Sequence, residues 1–236
     1  MMNTPQNKFY NILIIFNLVL IIFLLLFFNN SNLDLDLQNL LFDFKNKEWL
    51  IDKNEPIKKL FFYSLPKIVI GTLIIILSII LIFFRKKIFF QKHKGQIILF
   101  LAGITLIPLI AGNIKTFTNT YCPSQLKIYN GDYPYVGILD SYPENFIQFK
   151  KGKCFPAGHA VTGFCLMILF FILEKKQQRI LWLFFSTILG WILGFYQMAK
   201  GAHFLSDTVI SMMVCFLIAT IIAKLFYLKY NFPSRN

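Results

Sequence analysis

The chain has 236 residues, of which 56% are hydrophobic and 17% aromatic, and its formal net charge at pH 7 is +13. Several uninterrupted apolar runs reach the roughly 20 residues that span a bilayer, and they exclude the alternating pattern of an outer-membrane barrel. The basic residues lie mostly in short loops between these runs, where they act as topology signals rather than as a nucleic-acid surface. We therefore predict an all-α integral membrane protein with no nucleic-acid partner.

Six apolar segments follow one another along the chain. They cover about residues 11–28, 61–84, 97–114, 159–173, 180–198 and 208–228. The first segment is followed by Asn29-Asn30 rather than by small residues, so we interpret it as a retained helix and not as a cleaved signal peptide. Counted from a cytoplasmic start, the basic loops at Arg85–Lys87 and Lys175–Lys176 fall on the cytoplasmic face. The sequence thus predicts a six-transmembrane-helix bundle, one domain over residues 1–236, with both termini cytoplasmic.

The segment between the first two spans mixes charges. Residues 29–60 contain six acidic residues and five lysines, which leaves little net charge and permits export. Leucines at positions 33, 35, 37, 40 and 41 indicate that part of the segment folds against the membrane surface. We expect no catalytic residue in it.

The predicted topology places the loops at about 115–157 and 199–207 on the exported face, together with three polar clusters. These clusters are Lys115 with Cys122-Pro123; Pro156-Ala157-Gly158-His159; and Gln197 through Lys200 and His203 to Asp207. A histidine in the first turn of a helix lies beside unpaired N–H groups and the positive end of the helix dipole. Three clusters of this kind on one face indicate a phosphate site.

The third cluster has the spacing of a nucleophile and its orienting partner. His203 and Asp207 are four residues apart, so they share one helical face, and the carboxylate can bind one ring nitrogen while the other acts as nucleophile. His159 can protonate the departing oxygen as general acid. Lys115 and Lys200 can neutralise phosphate oxygens while charge develops.

In order and spacing, the clusters resemble the type 2 phosphatidic acid phosphatase superfamily. The family pattern is Lys-x6-Arg-Pro, then Pro-Ser-Gly-His, then Ser-Arg-x5-His-x3-Asp. The chain carries Lys115-x6-Cys122-Pro123, Pro156-Ala157-Gly158-His159 and Tyr196-Gln197-x5-His203-x3-Asp207. Both motif arginines are replaced, by a cysteine and a glutamine. Lys200, three residues before His203, is positioned to supply a point charge in place of the second arginine, without its bidentate geometry.

The resemblance implies a metal-independent phosphatase that removes phosphate from a lipid through a phosphohistidine on His203. It implies that Asp207 orients this histidine and that His159 is the acid. The phosphate-binding residues would be Lys115, Lys200, Gly158, Ala157 and Gln197. It implies no cofactor, and the expected location is a bacterial inner membrane with the active site facing the periplasm.

The choice of substrate stays open at this point. Lipid A 1- or 4′-phosphate is the favoured lipid, with undecaprenyl pyrophosphate and phosphatidylglycerophosphate as alternatives. A catalytically degenerate lipid-binding protein is the alternative of another class, because both motif arginines are absent. The vanadium-dependent haloperoxidases share the catalytic pattern on a soluble fold, and six apolar spans argue against them. The sequence does not predict an oligomeric state.

The four cysteines divide into two pairs. Cys165 and Cys215 lie inside apolar segments, where we expect reduced thiols. Cys122 and Cys154 lie in one exported loop, and we predict a disulfide between them, with two separate thiols as the alternative. A metal site is not expected, since the exported face offers two histidines and one nearby carboxylate, a poor set for stable zinc.

Overall fold

The computed structural model describes residues 5–84, 86–115 and 117–230. Arg85 and Arg235, two of the basic residues near span ends, lie outside this range. The long helices are α1 (Pro5–Asn29), α4 (Leu65–Phe83), α5 (Ile88–Ile114), α8 (Lys176–Ala199) and α9 (Leu205–Tyr230). The short ones are α2 (Leu33–Leu41), α3 (Pro56–Lys59), α6 (Gly158–Phe164) and α7 (Leu169–Ile172), beside a small antiparallel hairpin of β1 (Phe42–Asp43) and β2 (Glu48–Trp49).

Five helical segments among the described residues are long and apolar enough to cross a membrane. They are Gln6–Asn29, Pro56–Phe83, Gln91–Ile114, Lys176–Ala199 and Leu205–Leu228. The expected fourth span is the shorter apolar segment Gly158–Ile172, in which a 3-10 turn at Cys165–Ile168 joins α6 to α7. The chain is therefore a multi-pass all-α membrane protein, as predicted, but five rather than six of its segments have full spanning length.

Helices α5, α6, α8 and α9 pack around the core. Helix α6 contacts α8 most extensively, and Gly163 and Gly190 make this close approach possible. A Cβ atom on Gly163 would lie 2.4 Å from the backbone nitrogen of Gly190, and one on Gly190 would lie 2.1 Å from the Phe164 ring. Small residues at such crossings let helix backbones approach within a membrane. The glycine pair therefore fixes the depth at which α6 lies against α8.

An outer layer, formed by residues 33–51 and 117–155, covers the end of the bundle that carries the loops. Its core is a cluster of aromatic and aliphatic side chains: Phe42, Tyr121, Leu126, Tyr129 and Phe204. Two backbone hydrogen bonds attach the layer to the turn after α8, from Ile51 to Ala199 and from Ser124 to Gly201. The segment expected at the membrane surface thus packs over the loops of the predicted site.

Candidate active site

His203 and Asp207 form a buried pair at the start of α9. The Nδ1 atom of His203 is 3.1 Å from Asp207 Oδ2, and the same oxygen accepts a hydrogen bond of 3.0 Å from the Phe204 N–H. His203 is 4% exposed and Asp207 is 1% exposed. This geometry assigns the Nδ1 proton to the bond with Asp207 and leaves Nε2 for a substrate.

The surroundings of His203 favour its neutral form. Burial lowers the pKa of His203 below its usual value, and the positive charges of Lys115 and Lys200 lower it further, while Asp207 opposes the shift. A neutral imidazole keeps a lone pair on Nε2 near pH 7. His203 therefore has the protonation state that a nucleophile requires.

His159 lies in the first turn of α6, which begins at Gly158. Its Nε2 atom is buried and has no hydrogen-bond partner among the described residues. Its ring lies against Tyr63, with centroids 4.2 Å apart. Tyr63 belongs to a π-helical turn, Leu60–Ser64, between α3 and α4, and turns of this kind occur frequently at functional sites.

Three lysines surround the two histidines. Lys115 lies against Gly158, where a Cβ atom would be 3.4 Å from the lysine Nζ. Lys200 Nζ is 5.0 Å from the centre of the Tyr63 ring, and Lys67 Nζ is 4.1 Å from it. Within the described part of the chain, none of these lysines forms a salt bridge with a carboxylate. Lys67 and Lys200 both lie over the Tyr63 ring, and together with Lys115 they give this region a positive potential that attracts anions.

Burial lowers the pKa of both Lys115 and Lys200. For Lys115 the charge of Asp207 opposes this effect and that of Lys67 adds to it, and for Lys200 the neighbouring Lys59 and Lys67 add to it. Like charges held close together and partly out of water repel one another. A bound phosphate would relieve this repulsion.

A tight turn after α8 sets the position of Lys200. The Gly201 N–H donates to the Met198 carbonyl and the Ala202 N–H to the Gln197 carbonyl, with Gly201 at a φ of 71°. A Cβ atom on Gly201 would lie 2.3 Å from the Trp49 ring. Glycine is therefore required here both for the left-handed backbone and for the contact with the outer layer.

Two of the expected phosphate-binding residues are buried. Gln197 is 1% exposed, and its Nε2 atom has no hydrogen-bond partner among the described residues, so it can still donate to a ligand. The Ala157 N–H donates to Ser211 Oγ at 2.7 Å, and this hydroxyl donates to the Asp207 carbonyl. Ala157 thus ties α6 to α9 and does not present a free donor.

A disulfide between Cys122 and Cys154 lies beside His203. The two Cα atoms are 5.0 Å apart, and Cys154 Sγ is 3.5 Å from His203 Nδ1. Ligand atoms of these three residues lie within 4.8 Å of one another, a spacing that suits a metal ion, but the two sulfur atoms are bonded to each other. The disulfide joins the loop after Lys115 to the turn before His159.

The expected catalytic residues and both lysines thus come together at one end of the bundle. Sequence analysis missed Tyr63 and Lys67, because both lie at the start of an apolar run that predicts only a span. It also missed Asp34 and Gln38 of α2, which are buried against the start of α9. In the sequence, the only signal for that contact was the spacing of these two polar residues, four positions apart in a leucine-rich segment.

Comparison with protein families gives one match, to the model described as the PAP2 superfamily, over residues 96–231. The matched range exceeds half of the chain and contains both histidines, Asp207, Lys115 and Lys200. Comparisons with curated proteins and with solved structures find no match.

Proposed function

The chain belongs to the PAP2 superfamily, whose members are phosphatases, and from this premise we propose that it removes phosphate from a membrane lipid through a phosphohistidine on His203. The observation that carries the proposal is the buried His203–Asp207 pair. It lies among three lysines that have no carboxylate partner in the described chain, with the unpartnered Nε2 of His159 in the same group.

The proposed reaction has two steps. Nε2 of His203 attacks phosphorus while the bond from phosphorus to the lipid oxygen breaks, and His159 gives a proton to that oxygen. Asp207 stabilises the positive charge that the attack places on the His203 ring. Water then attacks the phosphohistidine, gives a proton to His159 and releases inorganic phosphate. The bound phosphate offsets the lysine charges and so favours the protonated His159 that the first step needs.

Lys115, Lys67 and Lys200 supply the electrostatic part of the proposed mechanism. Their ammonium groups neutralise the phosphate oxygens in a partly dry environment, where such interactions are stronger than in water. Gly158 lets Lys115 approach, and the Gln197 amide offers a further donor. These residues need no metal ion, so we propose a metal-independent reaction.

Two apolar cavities beside the site fit the chains of a lipid. Their volumes are about 560 and 590 Å³, and both are bounded by Lys58, Phe62 and Ile192. The first reaches Thr162, one helical turn after His159, and the second reaches Tyr196, over whose ring Lys200 lies. A lipid phosphate held by the lysines could therefore leave its chains between α4 and α8.

A third cavity, of about 340 Å³, is lined by both polar and apolar side chains and includes Lys200 in its wall. Its lining includes Glu48, Asp52 and Ser124 as well as the Trp49 ring. Carboxylates, a hydroxyl and an aromatic face suit a headgroup that carries hydroxyl or amino groups. This cavity favours lipid A phosphate over phosphatidylglycerophosphate, and both over undecaprenyl pyrophosphate, which has no such headgroup.

We propose the topology that agrees with the charges of the loops. Lys86, Lys87 and Lys175 lie at the end of the bundle opposite to the site, and this charge distribution supports the proposal that the site faces the periplasm from a bacterial inner membrane. In this arrangement Gly158–Ile172 is the sixth crossing, both termini are cytoplasmic, and residues 1–236 form one phosphatase domain.

Single-turnover labelling with lipid that carries a radioactive phosphate tests the proposal on detergent-solubilised protein. We expect acid-labile label on wild-type protein and none on His203→Ala, because that variant lacks the nucleophile. His159→Ala should accumulate label, since without the acid and base the phosphohistidine turns over slowly. His93→Ala, a histidine on α5 away from the site, is the matched control and should match the wild type.

Two outcomes would contradict the proposal. Full turnover by His203→Ala would exclude the phosphohistidine, and loss of activity in EDTA that zinc restores would overturn the metal-independent reaction. An absence of phosphate release from every lipid phosphate, with lipid binding retained, would favour the alternative of a non-catalytic lipid-binding protein.

A further inference from the structure

Helix α2 buries two polar side chains, Asp34 and Gln38, and exposes two of its leucines. Asp34 is 3% exposed and Gln38 is fully buried, whereas Leu33 is 41% exposed and Leu40 is 82% exposed. A surface helix of a water-soluble domain shows the opposite arrangement. The exposed leucines suit contact with the membrane surface, and the polar face is turned toward the start of α9.

Asp34 binds the residue directly before Asp207. Its Oδ1 accepts a hydrogen bond of 2.8 Å from the Ser206 N–H, and its Oδ2 accepts one of 2.5 Å from the Ser206 hydroxyl. Ser206 lies in the first turn of α9, where backbone N–H groups have no partner within the helix. Asp34, which belongs to a different helix, therefore accepts two hydrogen bonds from the first turn of α9 and holds that turn in place.

Gln38 binds His203, which lies two residues before the first residue of α9. Its Nε2 donates a hydrogen bond of 2.9 Å to the carbonyl of His203. All the groups in these contacts are buried, so each would remain without a partner if the other were removed. Residues 203 and 206 are thus fixed by side chains one helical turn apart on α2.

We propose that Asp34 and Gln38 are positioning residues for the reaction, which hold the turn from His203 to Ser206 so that the His203 ring stays aligned with Asp207 and the phosphate. The inference rests on the proposed function of His203 as nucleophile. A displacement of reacting atoms by about 1 Å can cost on the order of a hundredfold in rate, so the alignment of this turn matters for catalysis.

The energetic cost of the Asp34 carboxylate supports a functional role. The pKa of Asp34 is raised from 3.8 to about 6: burial is the largest cause and the charge of Asp207 adds to it, while the hydrogen bonds from Ser206 oppose both. Tyr129 and Tyr135 of the outer layer also face this carboxylate. The pKa of Asp34 is higher in the folded state, so as the pH rises from about 4 to about 6 the unfolded chain loses this proton while the folded chain still holds it. The folding stability therefore falls over this pH range.

Asp34→Asn tests the inference, with Asp36→Asn as the matched control. Asp36 lies on the same helix and is exposed, so its substitution makes the same change in charge without touching the turn. An asparagine amide cannot accept both bonds from Ser206. At about pH 8 we expect Asp34→Asn to lower kcat at least tenfold with KM changed less than twofold, while its melting temperature stays the same or rises. Asp36→Asn should keep the wild-type kcat.

The pH profile separates positioning from a general structural role. Below about pH 6 the wild-type Asp34 is itself protonated, so the ratio of wild-type to Asp34→Asn kcat should fall toward one. Gln38→Met, which keeps the volume and removes the donor to His203, is the second variant and should also lower kcat about tenfold. Wild-type kcat in both variants, or a loss that only follows the folded fraction, would overturn the inference.

A spectroscopic readout distinguishes this inference from the proposed function. The chain has three histidines, so the ring signals of protein labelled with 15N-histidine are assigned by single substitutions. We expect the Nδ1–H signal of His203 to shift in Asp34→Asn and Gln38→Met and to be unchanged in Asp36→Asn. The same shifts in a protein that releases no phosphate would contradict the proposed function, although they would show that the α2 contacts align the His203 ring. An unchanged signal in both variants would contradict the positioning role even in a protein that releases phosphate.

Discussion

At the scale of single residues, we propose that Lys200 supplies positive charge in place of the second motif arginine, at whose position the chain has Gln197. A lysine offers a compact charge on a flexible stem, whereas an arginine grips two phosphate oxygens with a planar fork. The Lys200 ammonium group lies over the rings of Tyr63 and Tyr196, at 5.0 and 4.8 Å from their centres. Charge at this position should therefore matter more than shape.

Lys200→Gln is expected to lower kcat about a hundredfold, because it removes one prepositioned cation from the developing charge. Lys200→Arg should keep most of the activity, since the charge stays. The measurement is steady-state release of phosphate from a lipid phosphate. Lys45→Gln, a change at an exposed lysine in the hairpin loop, serves as control. Equal activity of Lys200→Gln and wild type would show that phosphate is held elsewhere.

At the scale of secondary-structure elements, α6 brings His159 to the site, and its position depends on the glycine pair with α8. The backbone of Gly190 leaves no room for a methyl group on Gly163, so the two helices would have to separate. Gly71 on α4 offers a contrast, because no atom lies within 4 Å of the Cβ that a substitution would add.

Gly163→Ala should therefore destabilise the protein by about 1 to 3 kcal/mol through overpacking, and it should lower kcat by moving His159. Gly71→Ala should be neutral or slightly stabilising, since alanine is the better helix former. Thermal unfolding in detergent and phosphate release measure the two effects. If both variants unfold at the wild-type temperature, α6 and α8 do not require their close contact.

The long elements could be predicted from the sequence because each is an apolar run with polar ends. Some of them extend beyond the predicted runs, as does α5, which begins at Ile88 rather than near 97, because polar residues at membrane boundaries continue the helix. The contact of His203 with Asp207 could be predicted because the two residues are four positions apart in one segment, whereas His159 was predicted from the separate motif Pro156–His159. Tyr63, Lys67, Asp34 and Gln38 could not, since their roles arise from packing between segments far apart in sequence.

At the scale of the whole molecule, the outer layer depends on the disulfide between Cys122 and Cys154. Two hydrogen bonds beside the disulfide join the same segments: the Thr120 carbonyl accepts from the Cys154 N–H, and the Thr120 hydroxyl accepts from the Phe155 N–H. The disulfide closes a loop of 32 residues, which should contribute about 4 kcal/mol in the chain-entropy model. The layer that covers the site is thus joined covalently to the turn before His159.

Thiol labelling of protein purified without reductant checks this link. We expect Cys122 and Cys154 to resist alkylation until the unfolded protein is reduced, and Cys165 and Cys215 to react as soon as the protein is unfolded, because they are free but buried. The double substitution Cys122→Ser with Cys154→Ser should lower the melting temperature. Ready alkylation of Cys122 and Cys154 before reduction would show that packing alone holds the layer.

The candidate site is formed by two parts of the chain, which meet where α2 contacts the start of α9. The groups proposed to react lie within residues 96–231, whereas Asp34, Gln38, Tyr63 and Lys67 all precede this range. A fragment limited to residues 96–231 would therefore keep the groups proposed to react but lose Asp34, Gln38 and Tyr63, which contact the segments that carry His203 and His159.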